Sequence, residues 1–467
     1  MAHLIEVPVT TLDATRLRPH LLSERWEQLL AACRRQAGHR RTMWHVNSTA
    51  AGGGVAEMLR PLIGYGRDLG ITMGWLVLEA DLDFFTITKR VDNGLSGVAG
   101  DGGPLGAAEH RLYRRTCATA ATGLDRFVRP GDIVVLHDPQ TAGLVEHVAA
   151  LGALPIWRLH NGADDPNTHT AAGWDFLRPY LAAAAAFVVS MPHFGPDWLR
   201  DKPTATITPF LDPLAAKNRE MPPAAVAAQL GRWGLLETAT AAPDPGLAPA
   251  VLRAGGATPE QRDTVVQVSR WDDVKDMAGV LRAFAEVVAP ATDADLLLVG
   301  PEVTGVADDP EAGAYYDRCV RQWRALPPGI RDRTHLVCLP MADPEAHATV
   351  INALQRHATV VTQKSRSEGF GLTVTEAMWK GTPVLGTAVG GLRLQIDSPE
   401  VGVLVPPAAS PSLFGAALVA LLNDADHRAA LGHAARERVR RDFLPDTALL
   451  AELDLIAGLG LEAAVCE

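Results

Sequence analysis

The feature that most constrains the fold is a repeated alternation. Short apolar runs of strand length are followed by longer runs with helical periodicity, and the pattern occurs twice. In the first half, Thr42–Asn47, Ile71–Leu78, Asp132–Leu136, Ala153–Leu159, Ala185–Ser190 and Ala205–Phe210 read as strands. Val55, Met58, Leu59, Leu62, Ile63 and Leu69 form a helical stripe between the first two, and Trp174–Tyr180 a further helix. The alternation then stops at an Ala/Pro/Gly-rich stretch, 238–259. It restarts with strands at Thr264–Ser269, Leu296–Gly300, His335–Leu339, Ala358–Gln363 and Val384–Val389. The helices between them are Val274–Val288, Ala314–Trp323, Pro344–Gln355 and Leu372–Trp379. Strand–helix alternation builds parallel sheets covered on both faces, so the expected class is α/β with two doubly wound, Rossmann-like domains. The expected boundaries are 1–235, a linker or insertion at 236–262, a second domain at 263–440, and 441–467 as a terminal helix crossing back to the first domain. In such a pair, ligands are expected in a cleft between the carboxyl ends of both sheets.

Composition narrows the function. The 467-residue chain is 47% hydrophobic and 21% charged, enough for two packed cores. Its net charge of −11 speaks against nucleic acid or an anionic membrane as partner. Cys33, Cys117, Cys319, Cys338 and Cys466 lack C-x-x-C spacing and read as reduced thiols. The start, MAHLIEVPVT, has no apolar signal core, and the longest apolar run is too short to span a bilayer. A cytoplasmic location is the expectation.

Several stretches carry chemistry. Gly52-Gly53-Gly54 between a strand and a helix has the layout of a phosphate cradle, although a tight turn explains three glycines equally well. Asp81 and Asp83 form a D-x-D, repeated by Asp293 and Asp295. Acidic pairs near strand ends are common, and no metal site is assigned to either. His137 and His160 stand at two strand ends, followed by the polar loop Asn161–Asp165. The amphipathic run Leu21–Arg35 and its basic tail through Arg41 receive no function.

The densest stretch is KSRSEGFGLTVTEAMWKGTPVLGTAVGG, Lys364–Gly391. Gly369 and Gly371 let backbone approach a ligand closely. The helix starting at Leu372 offers unpaired N–H groups to an anion. Glu368 precedes that helix and Glu376 lies inside it, so the two can serve different ends of one ligand. Arg270 and Lys275, five residues apart after the first strand of the second domain, are cations suited to a diphosphate.

Together, Arg270…Lys275 and Glu368-Gly369-Phe370-Gly371-Leu372…Glu376 resemble the signature of retaining glycosyltransferases of family four, which have the GT-B fold. Within it, HVNSTAAGGGVAEML, DFFTITKRVDNGLSG, LHDPQTAGL and DPLAAKNRE are similar to trehalose synthases that join nucleotide-activated glucose to glucose. The resemblance covers about Trp44 to Val405. It implies that Arg270 and Lys275 bind the donor diphosphate with amides of Gly53, Gly54, Phe370, Gly371 and Leu372. It further implies that Glu368 binds donor-sugar hydroxyls, that Glu376 binds the ribose, and that His160 stands beside the reactive centre. Cys338, Leu339 and Met341 would flank the base, and His137, Asn161 and Asp164 the acceptor. The catalytic set is then His160, Arg270, Lys275 and Glu368, with no metal and no cofactor.

Two departures stand out. Asp276 occupies the position after Lys275 where the family usually has glycine, and the Asn161–Asp165 loop differs from that of trehalose synthases. The expected reaction is retaining glucosyl transfer from UDP-, ADP- or GDP-glucose to a sugar, with glucose as acceptor giving trehalose. An amino sugar or cyclitol acceptor, and a nucleotide-sugar epimerase or hydrolase on the same fold, are the alternatives. The donor and a small sugar are the expected partners, and a homodimer stays open.

Overall fold

The computed structural model describes residues 2–39, 41–51, 53–239, 241–247, 249–303 and 310–459. Gly52 of the glycine loop, Arg40 of the basic tail and Cys466 lie outside the described residues. The chain forms two units, Met1–Asp212 with Phe443–Glu467, and Pro213–Asp442.

The first unit is built on a seven-stranded sheet: β1 (His3–Glu6), β2 (Met43–Asn47), β3 (Met73–Glu79), β4 (Ile133–His137), β5 (Leu154–Leu159), β6 (Ala186–Val189) and β7 (Thr204–Thr206). Their order is β1-β3-β2-β4-β5-β6-β7. All neighbours are parallel except β1, which closes the edge antiparallel to β3. β2 and β4 are buried along their whole length, as a central parallel strand with helices on both faces must be. β2 is also where the winding reverses: β3 follows on one side and β4 on the other. That switch point opens a crevice at the carboxyl ends of β2 and β4.

The second unit contains a two-stranded ribbon, β8 (Leu236–Glu237) with β10 (Thr258–Pro259), and a second seven-stranded sheet. The sheet comprises β9 (Ala250–Leu252), β11 (Thr264–Val268), β12 (Asp295–Pro301), β13 (Thr334–Leu339), β14 (Val360–Gln363), β15 (Val384–Thr387) and β16 (Val403–Val405). The order is β16-β15-β14-β11-β12-β13-β9. Here the reversal falls between β11 and β14. The core packs Trp271, Phe284, Phe414 and the apolar faces of β11, β12 and β13.

The expected boundaries differ from these units. The second unit begins at Pro213, not 263, and the stretch read as a linker is part of it. β9 lies within that stretch and pairs antiparallel with β13 through Ala250–Cys338, Val251–Val337 and Leu252–Leu336. An Ala/Pro/Gly-rich composition hid a sheet-edge strand, because an edge strand needs only three residues and one paired side. β1 and β16 are likewise short edge strands without a long apolar run. The strand expected at Ala205–Phe210 is only Thr204–Thr206. Asp81 precedes the helix Leu82–Leu95, and Asp83 lies in its first turn. Asp295 is held by Arg262 at 3.2 Å and His335 at 3.6 Å, a structural use of that acidic pair.

Candidate active site

Each switch point carries polar side chains. In the second unit, the loops after β11 and β14 meet. Lys275 Nζ donates to both Glu368 oxygens, at 2.7 and 2.6 Å. The Lys275 and Glu368 side chains are only 16% and 8% exposed, so this is a largely desolvated pair. Ser365 Oγ donates to Glu368 at 3.0 Å, and Gln363 Nε2 lies 3.5 Å away. Gln267, buried in β11, ties the two loops together. Its Nε2 donates to the Lys275 carbonyl at 2.7 Å, and its Oε1 accepts from the Lys364 amide at 3.2 Å.

The glycines explain the path of the loop holding Glu368. Gly371 has φ +88° and opens the helix Leu372–Trp379 with no side-chain cap. Its first-turn amides therefore point toward whatever the loop binds. Gly390 and Gly391 do more than make a turn. A Cβ on Gly390 would lie 1.6 Å from the Glu368 carbonyl oxygen, and one on Gly391 would lie 2.4 Å from Phe370 Cα. Backbone rests on backbone there, and Gln395 Nε2 donates to the Phe370 carbonyl at 2.5 Å.

Asp276 follows Lys275 in the left-handed conformation, φ +45° and ψ +42°. That conformation is the physical reason a glycine suits the position. Asp276 compensates with charge: its carboxylate accepts from Lys364 Nζ and from Arg366 Nη2, the latter at 3.3 Å. Arg270 does not join Lys275 at Glu368. Its side chain is 66% exposed and pairs with Asp272 at 3.2 Å. Glu376 is buried in its helix, with Lys217 Nζ 3.5 Å from its Oε1. Beside it, burial holds the Lys380 ammonium below its usual range, against the pull of Glu376.

The base-flanking residues are divided. Cys338 and Leu339 are buried in β13, and burial pushes the Cys338 thiol up to about 11. Neither side chain is open to a ligand, whereas Met341 is 52% exposed.

In the first unit, Gly53 (φ +79°) precedes the helix Gly54–Asp68, again without a side-chain cap. The strand ends beside it carry a chain of histidines. His137 Nε2 lies 3.1 Å from His45 Nδ1, and His137 Nδ1 lies 2.9 Å from His160 Nε2. The resemblance implies an acceptor-binding role for His137. Both of its ring nitrogens are engaged by other histidines, so the ring has none left for a ligand. Burial lowers the pKa of all three rings, His45 to about 3 and the others well below their usual value. Asn161 Nδ2 donates to Asp92 at 3.2 Å, and Asp164 lies 3.0 Å from His193 Nε2. Asp138 sits at φ +63°, accepts from the His160 amide at 2.9 Å, and has its carboxyl pushed up to about 7 by burial and by Asp92.

Asp138 and Asp276 are the non-glycine residues with positive φ among the described residues, one at each switch point. Backbone strain of this kind concentrates at functional sites. Among the described residues, no three His, Cys, Asp or Glu side chains converge as a metal-binding group. No described helix is long and apolar enough to cross a membrane.

Sequence reasoning missed His45, Lys217, Gln267, Gln363, Ser365 and Lys364. His45 gains its meaning only from the strand register. Parallel register pairs His45 with Val135 and His137 with Arg158, and side chains alternate along strands. His45, His137, Arg158 and His160 therefore fall on one face of the sheet.

Comparison with known proteins identifies the family. The family model "Trehalose synthase, N-terminal domain" matches residues 45–196, and "Glycosyl transferases group 1" matches 251–438. The trehalose synthase of Pyrococcus horikoshii is 32% identical over 420 residues, 90% of each chain. This chain belongs to the trehalose synthase family of glycosyltransferases. The trehalose synthase of Rubrobacter xylanophilus is also 32% identical, over 89% of this chain and 90% of its own. Among solved structures, a sucrose-phosphate synthase from Thermosynechococcus elongatus superposes with a TM-score of 0.63 at 18% identity. It covers 91% of this chain and 100% of its own, which gives the fold: GT-B, with two Rossmann-like domains. As a member of this family, the protein is a hexosyltransferase.

Proposed function

We propose that the protein moves glucose from a nucleoside-diphosphate-glucose to a sugar acceptor with retention, and that with glucose as acceptor it forms trehalose. The carrying observation is the Lys275–Glu368 pair beside the uncapped helix start at Gly371. A desolvated cation, a hydroxyl-accepting carboxylate and outward amides are what a sugar diphosphate requires.

Breaking the sugar–phosphate bond leaves negative charge on the diphosphate and positive charge at the anomeric carbon. Lys275, Arg270 and the amides after Gly371 stabilise the leaving group. Glu368 holds donor-sugar hydroxyls and balances Lys275. No side chain in this set is suited to a double displacement, so the acceptor attacks from the face the phosphate leaves. The leaving phosphate oxygen takes the acceptor proton. The reading uses no metal.

A second acceptor class has a specific observation behind it. Asp164, in the loop after His160, is a carboxylate 3.0 Å from His193 and suits the ammonium of an amino sugar. One experiment serves both readings: nucleoside-diphosphate release from UDP-, ADP- and GDP-glucose, each alone, with glucose, and with glucosamine. Release with glucose, and an α,α-linked product by NMR, supports trehalose formation and names the base. Release with glucosamine alone moves the acceptor. Release without any acceptor replaces transfer by hydrolysis. No release and no binding of any donor overturns the donor-site assignment.

A further inference from the structure

The histidine chain of the first unit has a direction. Its inner end lies near Glu452, on the helix Pro445–Gly458. Glu452 Oε2 is 3.8 Å from His45 Nε2, and Glu452 Oε1 accepts from Arg158 Nη1 at 2.6 Å. Both partners of the Arg158–Glu452 pair are buried. Burial raises the Glu452 carboxyl above its usual range, and the Arg158 guanidinium pulls it back. A guanidinium keeps its proton and only donates, so an ionised carboxylate is its natural partner.

We propose that Glu452 sets the tautomer of His160 through His45 and His137, leaving His160 protonated on Nε2 with a bare, hydrogen-bond-accepting Nδ1. A neutral imidazole has one proton, so each ring that donates on one nitrogen must accept on the other. The contact at 3.8 Å is longer than a hydrogen bond, but an anionic oxygen there favours an N–H over a lone pair on His45 Nε2. His45 Nδ1 then accepts, which requires the proton of His137 on Nε2. His137 Nδ1 accepts in turn, which requires the proton of His160 on Nε2. His160 Nδ1 closes the series as a lone pair, and it has no hydrogen-bond partner among the described residues. The reverse series would set a lone pair of His45 against the Glu452 anion. The three rings stay neutral because burial and Arg158 both disfavour a charge on them.

Glu452 is thus a positioning residue. Its consequence for the reaction rests on the reading that His160 meets the donor sugar: a bare Nδ1 accepts a sugar hydroxyl and gives no proton to the phosphate. The polarity that His160 shows is therefore decided on a helix near the far end of the chain.

The test is spectroscopic. The full chain is labelled with ¹⁵N-histidine, and proton–nitrogen multiple-bond spectra assign each ring tautomer, with His160→Asn identifying the His160 signals. The expected result is a pyridine-type Nδ1 and a pyrrole-type Nε2 for His45, His137 and His160. A pyrrole-type Nδ1 on His160 in the unmodified protein overturns the proposal without any variant. Glu452→Gln then reverses the series. Arg158 still requires an acceptor, which turns the new amide oxygen toward it and the amide N–H₂ toward His45 Nε2. All three rings should switch to Nδ1–H; an unchanged His160 in a folded variant refutes the relay. Turnover of Glu452→Gln should fall roughly tenfold to a hundredfold, the loss of one hydrogen bond to a buried group. A reversed tautomer with unchanged turnover supports the relay and removes His160 from the proposed site, so the two ideas fail separately.

Discussion

The two switch points solve the problem of a buried polar site in opposite ways. In the second unit the polarity is ionic. Lys275 meets Glu368, Lys364 meets Asp276, and all four side chains are largely buried. In the first unit the chain of three histidines is neutral, and the charge that orients it stands at its far end, in Arg158 and Glu452. The difference suits the chemistry proposed for each unit. A diphosphate needs full charges opposite it, and a sugar hydroxyl needs a directed lone pair that a stray charge would spoil. The fold places both sites by the same rule, at the reversal of strand order, and lets the side chains differ.

The comparison breaks most readily at Lys275. Lys275→Ala should lower turnover by about 10²–10³-fold, equivalent to roughly 3–4 kcal/mol of leaving-group stabilisation. It should also lower stability, since Glu368 loses its partner in a site only 8% exposed. Arg270→Ala sharpens the point: turnover should fall, but the unfolding free energy should stay within about 0.5 kcal/mol of the parent because the side chain is exposed. Steady-state kinetics and urea unfolding on both variants read the four quantities. Equal stability losses would remove the distinction between a built-in and a surface cation.

Asp276→Gly tests whether strain or charge matters more in the ionic site. Glycine relieves the left-handed backbone, worth about 1 kcal/mol. It also leaves the buried Lys364 without its carboxylate, costing about 3 kcal/mol or more. A net loss of about 2 kcal/mol is expected, and adding Lys364→Met should recover most of it. A gain from Asp276→Gly alone would make the aspartate a burden.

The neutral site has its own signature in pH. His45 drops from an ordinary 6.5 to about 3, so below pH 6.5 the unfolded chain binds a proton that the folded chain refuses. Its contribution to stability is complete above 6.5 and is lost as pH falls toward 3. His45→Gln should make stability less steep in pH across that window, by about 1.4 kcal/mol per unit. Parallel pH profiles for parent and variant would show that this ring is not held neutral.

Much of this was legible in the sequence for a physical reason. Central parallel strands are buried on both faces, so Thr264–Val268 or Ile133–His137 cannot avoid being apolar runs. Edge strands are under no such demand, and Ala250–Leu252 passes for linker. The loop from Glu368 to Gly371 announces itself because close backbone approach requires glycine in fixed places. Lys275 and Glu368 follow from that loop. His45 did not, because a histidine inside a strand gains meaning only once register sets it beside His137. Glu452, 294 residues from Arg158, is beyond any local pattern.

That last separation bears on how the protein is made. The first unit is complete in its sheet by Thr206, yet its helix Pro445–Gly458 emerges from the ribosome only after the whole second unit has been synthesised. Until then Arg158 lacks the carboxylate that pairs with it, and the helices Ser23–Ala37 and Gly54–Asp68 lack the helix that packs against them. The nascent first unit must stay loose or chaperoned while all of Pro213–Asp442 passes by. A ribosome stalled anywhere before Pro445 holds a first unit that cannot finish folding.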